Sequence, residues 1–370
     1  MDAAQLARAS KEPTKQVIRK HEVLRILIEL SPLMMVIFSS VFLLFLIQIS
    51  GVNPLDALSV MLDGSVGSKN SLAVTVTKAT PLIISGLAVT VAARCGLWNI
   101  GAEGQIYFGG LFVAVILLRV VPHWPGVLQI MLGITAAFVG GALWMLIPAL
   151  LRAYRGTAEL VTTLLLNFVA VNVITIMVQG PLGDANASFP RSPTIPTSSF
   201  LPILLPGTQM HMGILIAMLL AVLIYVLIWK TFLGLELRAV GQGFIAAITT
   251  GIRVRRRILM AMLLSGGLAG IAGGVEVLGL HHRLSQGFSP GYGYDAITVA
   301  LLGGTHPVGV IPAALFLGAL RAGAPAMERN LGIPIDLVDI AEGLALISLI
   351  TGFGLRAILR RRYSSLGYGI

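Results

Sequence analysis

The sequence predicts an all-α polytopic membrane protein with about eight to ten transmembrane helices, some of them short and broken. Three observations carry that reading. Hydrophobic residues make up 56% of the 370 residues and charged residues only 11%, a balance that no water-soluble domain tolerates. Apolar runs long enough to cross a bilayer, about 20 residues each, recur along the chain. Glycine-rich polar interruptions fall at residues 96–110 and 287–304, in corresponding places of two halves, which hints at an internal repeat.

The net charge of +10 would point to nucleic acid in a soluble protein. Here the basic residues gather near the ends of apolar runs, where membrane orientation and anionic lipid account for them, so no nucleic-acid partner is expected. Cys95 is the single cysteine and cannot form an internal disulfide.

Taken in order, residues 1–30 form a basic cytoplasmic segment, spaced either for an amphipathic surface helix or as a solvated leader, with no cleavable signal. The transmembrane domain then covers 31–356. Its first span is 33–49, followed by a polar, turn-rich outer loop at 51–70. A second span at 72–93 carries Lys78 near its outer end, where a lysine snorkels to the interface. After the break at 96–110, residues 106–121 lead out, 128–151 lead back, and 160–178 lead out again. The proline- and serine-rich stretch 180–210 has one basic residue, Arg191, and is assigned outside. Span 211–229 returns to a strongly basic cytoplasmic loop, 230–257. Residues 258–280 are rich in glycine, which permits close helix contact. Two short helices are expected at 295–302 and 308–320 around Gly303 to Pro307, then a last span at 338–351 and a cytoplasmic tail at 357–370. With both basic termini inside the crossings must be even in number, and two broken helices bring the count to ten.

Candidate function lies in the polar residues at membrane depth, because each costs several kcal/mol unless paired or wet. The first interruption holds Trp98, Asn99, Glu103, Gln105 and Phe108. The span after it carries Glu159, Leu160, Thr163 and Asn167 on one expected helix face, four residues apart from Glu159 to Thr163 to Asn167. Glu276 and Asp295 complete the set. Structural ion pairs, for instance with Arg94, Arg152 or Arg155, are the plain alternative for each carboxylate. In the 230–257 loop, Phe244, Ile245, Ala246, Ala247 and Ile248 can form a short helix that fits a groove on a cytoplasmic partner or rests on lipid. The stretch 64–70 resembles a phosphate loop but lacks its Gly-Lys-Ser/Thr ending. His281 and His282 are adjacent and cannot share a helix face, so no metal site is expected. No nucleophile, base and orienter assemble, so the chain reads as no enzyme and needs no cofactor of its own.

Several of these stretches together resemble the permease subunits of ATP-binding-cassette importers of the branched-chain amino acid, ribose and nucleoside class. They are Gly96-Leu-Trp-Asn-Ile-Gly-Ala-Glu-Gly-Gln105, Glu159-Leu-Val-Thr-Thr-Leu-Leu-Leu-Asn167, Leu237-Arg-Ala-Val-Gly-Gln242 with Gly251, Ser265-Gly-Gly-Leu-Ala-Gly-Ile-Ala-Gly273, and Ala300-Leu-Leu-Gly303 with Pro307-Val-Gly309. The nucleoside and simple-sugar branch looks nearest. Gly243-Phe244 departs from the Asn-Pro pair frequent in the family. The resemblance implies alternating access, with Arg238, Gly241, Gln242, Phe244, Ala246, Ala247 and Gly251 coupling to a cytoplasmic ATPase that holds the ATP and magnesium. It also implies a second permease subunit, an external substrate-binding protein and a multi-pass place in the bacterial plasma (inner) membrane. A nucleoside substrate would stack on Trp98 or Phe108 and bond to Asn99, Gln105, Glu159 and Asn167. A simple sugar, a branched-chain amino acid, or a stand-alone secondary transporter are the alternatives.

Overall fold

The computed structural model describes residues 51–334 throughout and scattered positions at 37–49 and 336–354. The chain divides into two units, Met1–Ala57 with Ile333–Ile370, and Leu58–Gly332. In the first unit the expected leader, the tail and most of the first and last spans lie outside the described residues. The second unit is all helix, with two isolated bridges and no strand among the described residues.

Seven described helices are long and apolar enough to cross a membrane. In chain order the helices are α1 (Pro54–Val66), α2 (Lys69–Arg94), α3 (Ala102–Val115), α4 (Gly126–Leu150), α5 (Glu159–Gln179), α6 (Gly213–Lys230), α7 (Phe232–Gln242), α8 (Phe244–Thr249), α9 (Val254–Glu276), α10 (Tyr292–Leu302) and α11 (Pro307–Leu331). A π turn ends α3, α4 and α9. The outer loop expected at 51–70 is instead largely α1: Pro54 pre-sets the first helical turn, and the Asn53 side chain accepts from the Leu55 N–H at 3.0 Å.

Helices α2 and α9 form the centre. Every residue from Ala79 to Ala92 is buried in α2, and every residue from Ser265 to Glu276 in α9. The glycines of α9 make this possible. A side chain at Gly270 would collide with the Ala137 carbonyl of α4, and one at Gly273 with the Ile106 carbonyl of α3. Backbones therefore meet where side chains would hold them apart. In α5 the buried residues are Glu159, Thr163, Asn167, Ala170, Ile174 and Val178, a single stripe at helical spacing. Leu164, Leu165, Phe168 and Ile176 stand exposed on the other faces, as lipid-facing residues do. Leu160, expected on the polar stripe, is also exposed, because one residue turns about 100° from its neighbour and only the 159–163–167 series stays in line.

The two ends of the bundle differ in chemistry. At one, which we call the basic end, Arg94, Arg152, Lys230 and Arg253 close α2, α4 and α6 and open α9. A satellite core of Cys95, Met145, Ala149, Leu237, Val240, Ala247, Val254 and Ile258 packs beneath them. At the other, the 180–210 segment straps over the end of α9: the N–H groups of Ser192, Ile195 and Leu201 donate to Leu284, His282 and Leu278 carbonyls at 2.7, 2.9 and 3.0 Å. Phe200 stacks on His282 with centroids 3.7 Å apart. His211, buried at the foot of this strap, accepts from the Gly213 N–H at 3.1 Å.

Candidate functional site

The first interruption is shorter than the sequence implies. Helix α2 ends at Arg94 and α3 already begins at Ala102, leaving residues 95–101 as the break. A break inside a bundle frees backbone and side-chain polar groups that must be paired within the protein. Asn99 does most of the pairing. Its Nδ2 donates to Gln105 Oε1 at 2.7 Å and to Ser265 Oγ at 2.9 Å, and its Oδ1 accepts from Gly101 N at 3.0 Å and Gln105 Nε2 at 3.0 Å. The Ser265 hydroxyl in turn donates to the Ala88 carbonyl at 2.6 Å. Asn167 closes the turn from α5, accepting from Gly104 N at 2.9 Å and donating to the Ile100 carbonyl at 2.9 Å. One of the donors that α3 leaves orphaned in its first turn is thereby satisfied. The neighbouring Cys95 is buried.

The second interruption builds a half-helix. From the strap the chain descends through buried Phe288 and Ser289 and enters α10, 11 residues long. At 1.5 Å per residue that is about 16 Å, half the hydrocarbon thickness of about 30 Å. Its start meets the start of α3: Glu103 Oε2 accepts from the Gly293 N–H at 2.7 Å, and a side chain on Gly293 would strike the Glu103 backbone. Two positive helix ends thus share one buried carboxylate. Next to this junction Asp295 pairs with Arg321 at 2.5 Å, and Arg321 also reaches the Pro290 carbonyl at 3.2 Å. Glu276 is 1% exposed; His281 Nε2 lies 3.4 Å from its Oε2, and neither oxygen accepts a hydrogen bond among the described residues. Lys78 lies within electrostatic range of Glu276 and Arg321. Broken helices whose ends converge on charged groups at membrane depth are the usual construction of a solute site.

The chain matches the model of the branched-chain amino acid transport system / permease component family over residues 71–350. It belongs to that permease family. It is 37% identical over 310 residues to the glucose ABC transporter permease protein TsgB13 of Haloferax volcanii, covering 81% of each chain. It is 33% identical to the guanosine ABC transporter permease protein NupP of Bacillus subtilis, covering 89% of this chain and 95% of that one. The nucleoside ABC transporter permease protein NupB of Lactococcus lactis is 31% identical, with 89% and 93% covered.

Within this permease the sequence-derived site residues separate into groups. Asn99, Gln105 and Asn167 come together with Ser265, which sequence spacing could not link to Asn99 because the two stand 166 positions apart. The amides of Asn99 and Gln105 bond to each other and that of Asn167 bonds to the backbone of residues 100 and 104, so in this conformation they hold the break. Thr163 caps inward on the Glu159 carbonyl at 2.7 Å, and Glu159 pairs with Arg152 at 3.1 Å, the structural alternative for that carboxylate. Phe108 does not stand open for stacking: Trp144 covers it, with centroids 3.7 Å apart and planes at 17°. Trp98 is half-buried. Glu103, Glu276 and Asp295 converge on the start of α10. The second expected short helix is instead the 25-residue α11, because Pro312 and Pro325 do not interrupt it.

In the 230–257 loop α7 and α8 are consecutive short helices. Phe244, Ile245 and Ile248 are 53%, 78% and 52% exposed, whereas Ala247 is buried in the satellite core. Ala247 therefore anchors α8 and is not available for contact, while Gln242, Ala246 and Gly251 are exposed. Gly241 lies where a side chain would strike the Arg94 carbonyl.

Proposed function

We propose that the chain is the membrane-spanning permease subunit of an ATP-driven importer that carries a nucleoside-like solute by alternating access. The observation that carries this reading is α8: three large apolar residues, Phe244, Ile245 and Ile248, exposed on one short helix at the basic end and fixed from behind by Ala247. Water disfavours such a face, and a groove on an ATPase subunit suits it. Arg238, Gly241, Gln242, Ala246 and Gly251 complete this coupling surface. By the excess of basic residues, loop 230–257 and both termini lie in the cytoplasm and the 180–210 strap faces outward, towards an external binding protein. ATP and magnesium belong to the ATPase, and a second permease subunit completes the pore in the bacterial plasma membrane. The solute passes the start of α10, where Glu103, Glu276 and Asp295 offer acceptors for hydroxyl and ring N–H groups. Trp98 is the remaining candidate for stacking on a base.

The guanosine and nucleoside relatives support this solute, and the glucose permease of Haloferax volcanii supports a simple sugar as the second reading. Co-purification from native membranes in mild detergent tests the subunit assignment. An ATPase subunit comes down with the native chain and is lost from Phe244→Glu and Ile245→Glu; a native chain that brings none overturns the importer reading. Uptake of labelled nucleoside, competed by unlabelled nucleoside or glucose, then separates the two solutes.

A further inference from the structure

At the basic end two guanidinium groups share one indole. The Arg238 guanidinium, from α7, lies 4.4 Å from the centroid of Trp229, and that of Arg94, from the end of α2, lies 5.2 Å from it. Neither arginine pairs with a carboxylate among the described residues. Arg94 instead donates through Nε to the Thr305 carbonyl at 2.8 Å and through Nη2 to the Gly304 carbonyl at 3.2 Å. His306, which caps the start of α11 by accepting from the Val308 N–H at 3.2 Å, tilts against Trp229 at 5.5 Å. Like charges this close repel, so the arrangement persists through the π-face of the ring and the two carbonyls. The ring is therefore the common support of a coupling helix (α7), the end of α2, and the joint at 303–306 from which α10 hangs.

That joint is set for movement. Thr305 sits at φ 50° and Gly304 at φ 64°, a left-handed turn unfavourable for a β-branched residue. Beyond its own local bonds, its 304 and 305 carbonyls are tied to the rest of the bundle by Arg94, whose guanidinium also meets the coupling helix through Trp229. We propose that Trp229, gripped by Arg94 and Arg238, is the positioning residue that transmits displacement of α7 and α8 to the half-helix α10 and so opens or closes the solute path. The inference rests on the importer reading. A shift of Arg238 with α7 alters how the ring shields Arg94, Arg94 moves relative to the 304 and 305 carbonyls, and α10 follows as a rigid rod of three turns.

The test uses the whole importer, permeases with ATPase and binding protein, reconstituted in proteoliposomes, with solute transported per ATP hydrolysed as the readout. Trp229→Ala assembles with the ATPase in the native ratio and hydrolyses ATP within about twofold of the native rate, while transport per ATP falls roughly tenfold, the size expected of a residue that carries coupling without touching a ligand. Trp229→Phe keeps a π-face and restores at least about half of the native ratio. Arg94→Ala reproduces the uncoupling of Trp229→Ala. A Trp229→Ala importer whose transport per ATP is native overturns the proposal, as does loss of the ATPase from that variant, which would make Trp229 a docking residue. Equal failure of Trp229→Phe and Trp229→Ala in normally assembled complexes also overturns it. Failure of the importer reading is distinct: there the native chain itself shows no ATP-dependent uptake.

Discussion

The two glycine breaks that lead into and out of half-buried helices are built on opposite principles. At residues 95–101 the first three N–H groups turn back onto α2 carbonyls, and buried side chains of the break itself, α3, α5 and α9 tie the rest together across the bundle, the amides of Asn99, Gln105 and Asn167 being 0–1% exposed. At residues 303–306 the backbone is half-exposed and closes locally, its N–H groups donating to carbonyls of residues 299–303, while a partly buried arginine from α2 supplies the long-range side-chain bonds through two carbonyls. A buried amide network has no water to exchange with when it opens, so opening costs the full desolvation of each orphaned group. Exposed carbonyls can turn to water at little cost. Motion in a carrier of this construction belongs at the second break, with the first as the fixed frame it moves against.

Removing the hub of the first break is the most severe way to test this contrast. Asn99→Leu keeps the volume but leaves the Gly101 N–H, the Ser265 hydroxyl and both ends of the Gln105 amide short of partners. At about 1–3 kcal/mol for each buried orphan, with partial relaxation, a loss of about 4 kcal/mol is expected. The midpoint of unfolding in mixed micelles reads it. A loss below about 1 kcal/mol would mean that water reaches Asn99 and that the first break is no more fixed than the second.

A milder probe enters from the lipid-facing helix. Asn167→Leu orphans the Gly104 N–H and the Ile100 carbonyl, of which only the first is fully enclosed, so about 2 kcal/mol is expected. Amide hydrogen exchange localises the effect: the first turn of α3 should lose protection while the centre of α9 keeps it. Uniform loss across both would show that α5 stabilises the bundle as a whole.

Much of this frame is legible in the residues themselves. The stripe Glu159, Thr163 and Asn167 follows from helical spacing, as does the apolar face of α8, because both are properties of one helix. The glycine run of α9 announces close packing but not its partners. What spacing cannot reveal is contact between distant elements: Ser265 with Asn99, Trp144 over Phe108, Gly293 against Glu103, and the two arginines on Trp229. Phe108 illustrates the reason. An aromatic beside a polar break looks open to a ligand until a tryptophan from α4 is placed against it, and nothing local to either residue records their meeting. Asn99 shows the converse, since an amide at membrane depth suits a ligand and a structural hub equally well until its partners are seen.

The smallest effect should have the opposite sign and falls on the second break. Thr305 holds φ 50°, which costs a β-branched residue about 1–2 kcal/mol. Thr305→Gly removes that strain and gives up the bond from Oγ1 to the Gly304 carbonyl, 2.8 Å long and exposed, together with some entropy of the unfolded chain. A net gain of about 0.5 kcal/mol is expected in the same unfolding assay. The gain in stability should accompany a fall in transport per ATP, because a glycine at this joint lets residues 303–306 adopt other conformations without carrying α10 along. A stabilised Thr305→Gly that transports normally would show that the strain at Thr305 is incidental to the movement of α10, and would leave the Arg94 clamp as the only feature that sets this break apart from the first.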